Sequence, residues 1–160
     1  MKNYILYCDG GCRGNGKKEA LGAWAYVILE NNEVIEEFSQ VDDNCSTNIR
    51  AEMYALSEGL KSIIMRTDIE TIKNINVEVI TDSKFICDAF NLNWVDNWLK
   101  NNWRKKDKKP VANKDLWELL LVLESMFNHI EYHHCKGHSG IKYNERCDYL
   151  LNVEMDKYIK

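Results

Sequence analysis

Two short apolar runs in this chain each end in an aspartate: Tyr4-Ile5-Leu6-Tyr7-Cys8-Asp9 and Val77-Glu78-Val79-Ile80-Thr81-Asp82. Runs this short, rich in β-branched and aromatic residues, read as strands near the centre of a sheet. A carboxylate at the end of a buried strand contributes nothing to packing, so the chain must fold into a sheet whose edge gathers charge. Glu52, in the first turns of a helical pattern, and Asp148, near the start of another, supply two further acids. Like charges ~4 Å apart repel by about 4 kcal/mol at an effective dielectric near 20. Four gathered carboxylates therefore call for cations, and an all-oxygen donor set suits Mg²⁺ or Mn²⁺.

The rest of the pattern predicts an α/β fold in the order β-β-β-α-β-α-α-α-β-α. Strands are expected at 4–9, 22–29, 33–39, 76–81 and 130–134, with Asn31-Asn32 as a hairpin turn. A loop is expected over 10–19. The clearest helix runs from 47 to 65, where Ala51, Ala55, Leu56, Gly59, Leu60, Ile63 and Ile64 form one stripe, capped by Ser46 or Thr47. Further helices are expected from a Ser83 cap to 89, over 94–100, from an Asn113 N-cap to 126, and over 143–158. Three hairpin-joined strands followed by two strands with helical crossovers make a five-stranded mixed sheet, three antiparallel strands then two parallel, with helices on both faces. One domain fills residues 1–160, with no linker or repeat.

Composition fits a globular chain: 45% of its 160 residues are hydrophobic and 29% charged. Lys2 leads straight into a strand pattern with no secretory leader, and no apolar run could span a membrane, so a cytoplasmic monomer is expected. The six cysteines form no Cys-x-x-Cys pair and read as reduced thiols. His133, His134, Cys135 and His138 crowd together but lack the spacing of a structural zinc site.

The net charge of −4 conceals an asymmetry. Residues 100–114 hold seven basic residues and one acid, so +6 sits there and −10 elsewhere. Trp94, Trp98 and Trp103 are interleaved with this run, and a basic patch beside aromatics reads as a nucleic-acid footprint. The two strand-terminal aspartates lie side by side on this topology, beyond the carboxyl ends of parallel strands, where ligands of open α/β sheets bind. Two divalent ions there would suit in-line attack on a phosphodiester. His138, in the Lys136-Gly137-His138-Ser139-Gly140 loop, could carry a proton to or from a leaving group.

These stretches resemble the ribonuclease H type 1 family. They are Tyr7-Cys8-Asp9-Gly10-Gly11-Cys12-Arg13-Gly14-Asn15-Gly16, Thr47-Asn48-Ile49-Arg50-Ala51-Glu52, Thr81-Asp82-Ser83, Trp94-Val95-Asp96-Asn97-Trp98, residues 108–117, and Lys136 to Gly140 with Asn144 to Asp148. The resemblance implies a ribonuclease H-like fold and endonucleolytic cleavage of the RNA strand of an RNA–DNA hybrid, leaving 5′-phosphate and 3′-hydroxyl ends. It implies two Mg²⁺ ions on Asp9, Glu52, Asp82 and Asp148, with His138 as a mobile catalytic histidine. It places Gly10, Gly11, Cys12, Asn15, Asn48 and Glu52 against RNA 2′-hydroxyls, a means of telling RNA from DNA. Trp94 and Trp98 match a channel for the DNA strand, and Thr47 and Asn113 a phosphate pocket. Arg104, Lys105, Lys106, Lys108 and Lys109 match a basic protrusion that grips the hybrid. Cys45 stands where some relatives place a pocket arginine. A 3′–5′ exonuclease of similar fold would carry Asp-x-Glu on the first strand, and Asp9-Gly10-Gly11 argues against that.

Overall fold

A computed structural model describes residues 2–15 and 17–158. Gly16, part of the glycine-rich motif, and the chain's last two residues lie outside the described residues, as does Met1. The elements follow in the order β1 (Lys2–Arg13), β2 (Leu21–Glu30), β3 (Glu33–Asp42), α1 (Asn48–Met65), α2 (Ile69–Ile72), β4 (Ile75–Thr81), α3 (Lys84–Asn91), α4 (Trp94–Lys100), α5 (Lys114–Ser125), β5 (His129–His134) and α6 (Lys142–Lys157). The five strands form one sheet in the order β3-β2-β1-β4-β5. β1 runs antiparallel to β2 and β2 to β3, whereas β1–β4 and β4–β5 are parallel. The expected mixed sheet with helices on both faces is the one that forms.

Strand alternation divides the core in two. Tyr4, Leu6 and Cys8 of β1, with Trp24, Tyr26 and Ile28 of β2, face α1. Ile5 and Tyr7, with Ala23, Ala25, Val27 and Leu29, face α6 through Cys147, Leu151 and Met155. β2 is therefore buried on both sides, and only Glu30 at its end is partly exposed. Asn31 and Asn32 both have positive φ, 53° and 64°, the backbone that a tight two-residue hairpin demands.

Three expectations are corrected. The loop predicted from residue 10 onward is strand as far as Arg13, because Gly10 to Arg13 pair with Trp24 to Leu21 of β2. Local propensity disfavours glycine in a strand, but ladder pairing overrides it here. A short helix, α2, was not anticipated; Asp68 caps it by accepting from the Thr71 N–H at 2.7 Å. Trp103 does not join the partly exposed Trp94 and Trp98: it is buried, and its carbonyl accepts from Val111 N–H at 2.9 Å, anchoring the basic loop to the core.

The caps on α1 and α3 form as expected. Thr47 Oγ1 accepts from Arg50 N–H at 3.3 Å and Ser83 Oγ from Ile86 N–H at 3.3 Å. Asn113 precedes α5 but makes no side-chain cap, because its amide is turned elsewhere. Among the described residues no helix is long and apolar enough to cross a membrane.

Candidate active site

The site is assembled where α1 crosses β1. Gly10 has no side chain, and a Cβ there would lie 2.2 Å from the Ala51 carbonyl carbon and 2.3 Å from the Glu52 nitrogen. Asp9 lies within the strand and not at its end as the sequence suggests, and that backbone contact sets the α1 N-terminal turns directly over Gly10 of β1. It brings Glu52 beside Asp9. Asp82 follows the last residue of β4, the parallel neighbour of β1. Asp148, the seventh residue of α6, comes from the opposite layer.

Electrostatics shows that the four acids share one space. Asp9 is buried, and its carboxyl is pushed up to about 9, first by burial and then by the charges of Asp82, Asp148 and Glu52. The Gly10 N–H donates to Asp9 Oδ1 at 2.9 Å and only partly offsets this. Glu52 is pushed up to about 7 by burial and by Asp82, against a stabilising hydrogen bond from the Ser83 side chain. No lysine or arginine pairs with any of the four among the described residues. An uncompensated, half-desolvated set of oxygen donors has the chemistry a hard divalent cation requires. The carboxylates are not tightly drawn in, however. Among the described residues, the three-ligand group whose donor atoms all lie within 4.8 Å of one another stands elsewhere, at Glu78, Glu131 and His133.

The loop after β5 closes over Asp82. A Cβ on Gly137 would stand 3.0 Å from Asp82 Oδ2, so the chain passes directly against that carboxylate. His138, next in sequence, is exposed and has a positive φ of 55°, a conformation uncommon for a bulky residue. It thus directly follows the residue that lies against Asp82.

A polar chain links the glycine-rich segment to α1. Asn15 Oδ1 accepts from Asn48 N–H at 2.7 Å, and Asn48 Oδ1 accepts from Cys12 N–H at 2.7 Å. Both amide oxygens are consumed, which leaves both exposed amide NH₂ groups as donors. Gly10 and Gly11 lie between this chain and Asp9 on β1.

Beside it runs an aromatic and basic wall. Phe85, Trp94, Trp98 and Trp117 pack against one another at centroid distances of 5.5–6.5 Å, Phe85 stacked on Trp98 and the other pairs edge-to-face or tilted. A cavity of about 630 Å³ joins Asn15, Thr47, Asn48 and Glu52 to Trp94, Trp98, Lys105 and Asn113. A second, of about 740 Å³, is lined by Trp94, Trp98, Arg104, Lys105, Lys106 and Lys108. Arg104 bridges to Pro110, and Lys105 N–H donates to the Lys109 carbonyl at 2.9 Å, so the basic run is a pinned turn, with Lys109 outside that cavity lining.

Sequence reasoning missed what three residues contribute to the site. Arg50 donates to Asn113 Oδ1 at 2.9 Å and to both Asp115 oxygens at 3.1 and 2.9 Å, holding Asn113 toward Thr47. Ser83 supports Glu52 as well as capping α3. Gly137 grants the close approach to Asp82. Arg50 and Gly137 both lie within the motif stretches, but a contact to a residue 63 positions away has no local signature.

The model of the RNase H family matches residues 1–155. A ribonuclease H of Clostridium botulinum is 37% identical over 158 residues, covering 99% of each chain. One of Caldanaerobacter subterraneus is 38% identical over 155 residues, 97% of this chain and 92% of that one. Among solved structures, a type 1 RNase H with the type 2 active-site motif superposes with a TM-score of 0.79 at 22% identity, covering 96% of this chain and 72% of that one. An RNase H1 solved in complex with an RNA/DNA hybrid gives 0.73 at 24% identity, covering 96% and 97%. Those two likenesses concern the fold, whereas the sequence matches run nearly end to end, and on them the chain belongs to the RNase H family.

Proposed function

We propose that the protein is an endonuclease that hydrolyses the RNA strand of RNA–DNA hybrids. The observation that carries this reading is the acidic centre formed by Asp9 within β1, Asp82 just past β4, Glu52 and Asp148, with Glu52 lining a cavity it shares with the aromatic and basic wall. Membership of the RNase H family supports it, as does a similarly folded RNase H1 solved with an RNA/DNA hybrid.

In this reading Asp9, Glu52, Asp82 and Asp148 would hold two Mg²⁺ ions. Bound there, the ions would activate water and neutralise charge building on the phosphate. The chain's own groups do the rest. The amide donors of Asn15 and Asn48 suit a ribose 2′-hydroxyl, which DNA lacks. Trp94 and Trp98 offer flat apolar faces to the sugars of the DNA strand. Thr47 spends its oxygen lone pair on the α1 cap and keeps its hydroxyl proton for a phosphate, beside the Asn113 amide that Arg50 orients. Arg50 thus takes a supporting part in a pocket where Cys45 is buried and apolar. Arg104, Lys105, Lys106, Lys108 and Lys109 neutralise backbone phosphates. His138 moves a proton at the rim, leaving a 3′-hydroxyl and a 5′-phosphate.

The test is cleavage of an internally labelled, end-blocked hybrid, with DNA duplex and RNA duplex as controls. Internal cuts in the RNA strand alone, dependent on Mg²⁺ and lost in Asp9→Asn, are expected. Failure to cut blocked hybrids would remove the endonuclease assignment.

A further inference from the structure

We propose that Glu78, Glu131 and His133 bind a transition-metal ion of the zinc class on the open face of β4 and β5, separate from the acidic centre. The sheet register sets Glu78 directly opposite Glu131. His133 follows two residues along β5 and so projects from the same face. The donor atoms of the three side chains all lie within 4.8 Å of one another. A tetrahedral ion with ligands at ~2.0–2.2 Å sets them about 3.4 Å apart, so these exposed side chains would draw in by rotation to hold it. All three residues are exposed, because α6 packs on β1, β2 and β3 and leaves this end of the sheet uncovered.

Two further observations point to a cation. Like charges this close repel, yet neither Glu78 nor Glu131 pairs with lysine or arginine among the described residues. Among the described residues the ion-pair partners of Glu131 are imidazoles, His129 at 3.5 Å and His133 at 3.2 Å, which carry charge only when protonated. The face thus brings two glutamate side chains together with imidazole nitrogens beside them. A concavity of about 350 Å³, lined by Asn3, Asn76, Glu78, His129 and Glu131, opens alongside, and a bound ion would take its remaining ligand as water from that side. The donor set also chooses the ion: imidazole nitrogen suits zinc, copper or nickel, whereas Mg²⁺ prefers oxygen alone. A bound ion would tie the edge strand β5 to β4, the strand that precedes Asp82.

Zinc titration of the full chain by calorimetry, with Mg²⁺ in excess, tests this. The wild type and Asp9→Asn should each take up one Zn²⁺. His134→Ala, altered on the other face of β5, should behave likewise. Glu131→Gln and His133→Ala should each weaken uptake at least tenfold. Zn²⁺ should raise the thermal midpoint of the wild type and leave that of folded His133→Ala unchanged. Zinc uptake that survives both β5 substitutions, or disappears in Asp9→Asn, would overturn the proposal, as would no uptake at all.

Discussion

Gly10 and Ala51 touch through bare backbone: a Cβ on Gly10 would fall 2.2 Å from the Ala51 carbonyl carbon and 2.5 Å from its oxygen. The neighbouring Asp9 and Glu52 owe their proximity to this contact. Gly10→Ala therefore forces α1 away from β1. Overpacking of this kind typically costs about 1–3 kcal/mol, and with backbone on both sides the upper end is expected. Urea denaturation should show the loss of stability. Hybrid cleavage should fall further than stability alone explains, since Glu52 moves with the helix. A variant with wild-type stability would disprove the contact.

Asp9 and Glu52 make the metal-free protein sensitive to pH. Asp9 is raised from an ordinary 3.8 to about 9, and Glu52 from 4.5 to about 7. Between those limits the folded chain keeps protons that the unfolded chain releases. Stability should therefore fall as pH rises through the window. Asp9→Asn removes the larger part of this penalty. In chelator at mildly alkaline pH it should be more stable than wild type by about 1–3 kcal/mol, since one pKa unit is worth about 1.4 kcal/mol. The difference should vanish near pH 3.8, below which both carboxyl states are neutral. Thermal melts across this range decide it, and a variant less stable than wild type at alkaline pH would refute the electrostatic account.

The same protons must leave when cations bind. Mg²⁺ association at neutral pH is expected to release protons and to tighten as pH rises. Calorimetry in two buffers of different ionisation enthalpy measures this directly. Identical heats in both buffers would mean that Asp9 is already ionised.

Arg50→Ala should act on substrate binding more than on turnover. It frees Asn113 and removes the Asp115 ion pair, at about 1 kcal/mol of stability. KM for hybrids should rise several-fold with kcat little changed. An unaltered KM would show that Asn113 is not used.

Neutralising Lys105, Lys106, Lys108 and Lys109 together should weaken hybrid binding and flatten its salt dependence. Each phosphate contact contributes a slope of about −0.9 for B-form DNA. Binding curves at several salt concentrations give the slope. If it does not change, these lysines are solvated surface only.

Much of this protein is written locally. The apolar runs ending in Asp9 and Asp82, the α1 stripe, the Asn31-Asn32 turn and the caps at Thr47 and Ser83 depend on residue type and spacing within a few positions, which sequence displays directly. Strand order also follows, because hairpins and right-handed crossovers leave few alternatives. What tertiary structure alone decided depends on pairing between distant segments. Gly10 to Arg13 became strand only because β2 offered partners. Trp103 turned inward and Asn113 turned to Arg50 because of neighbours that no local pattern names. The elevated Asp9 carboxyl requires four acids from four elements in one desolvated space. The meeting of Glu78 with Glu131 and His133 requires the β4–β5 register. Sequence supplied the chemical groups, and the distances between them, on which both charge repulsion and metal affinity depend, came only with the folded sheet.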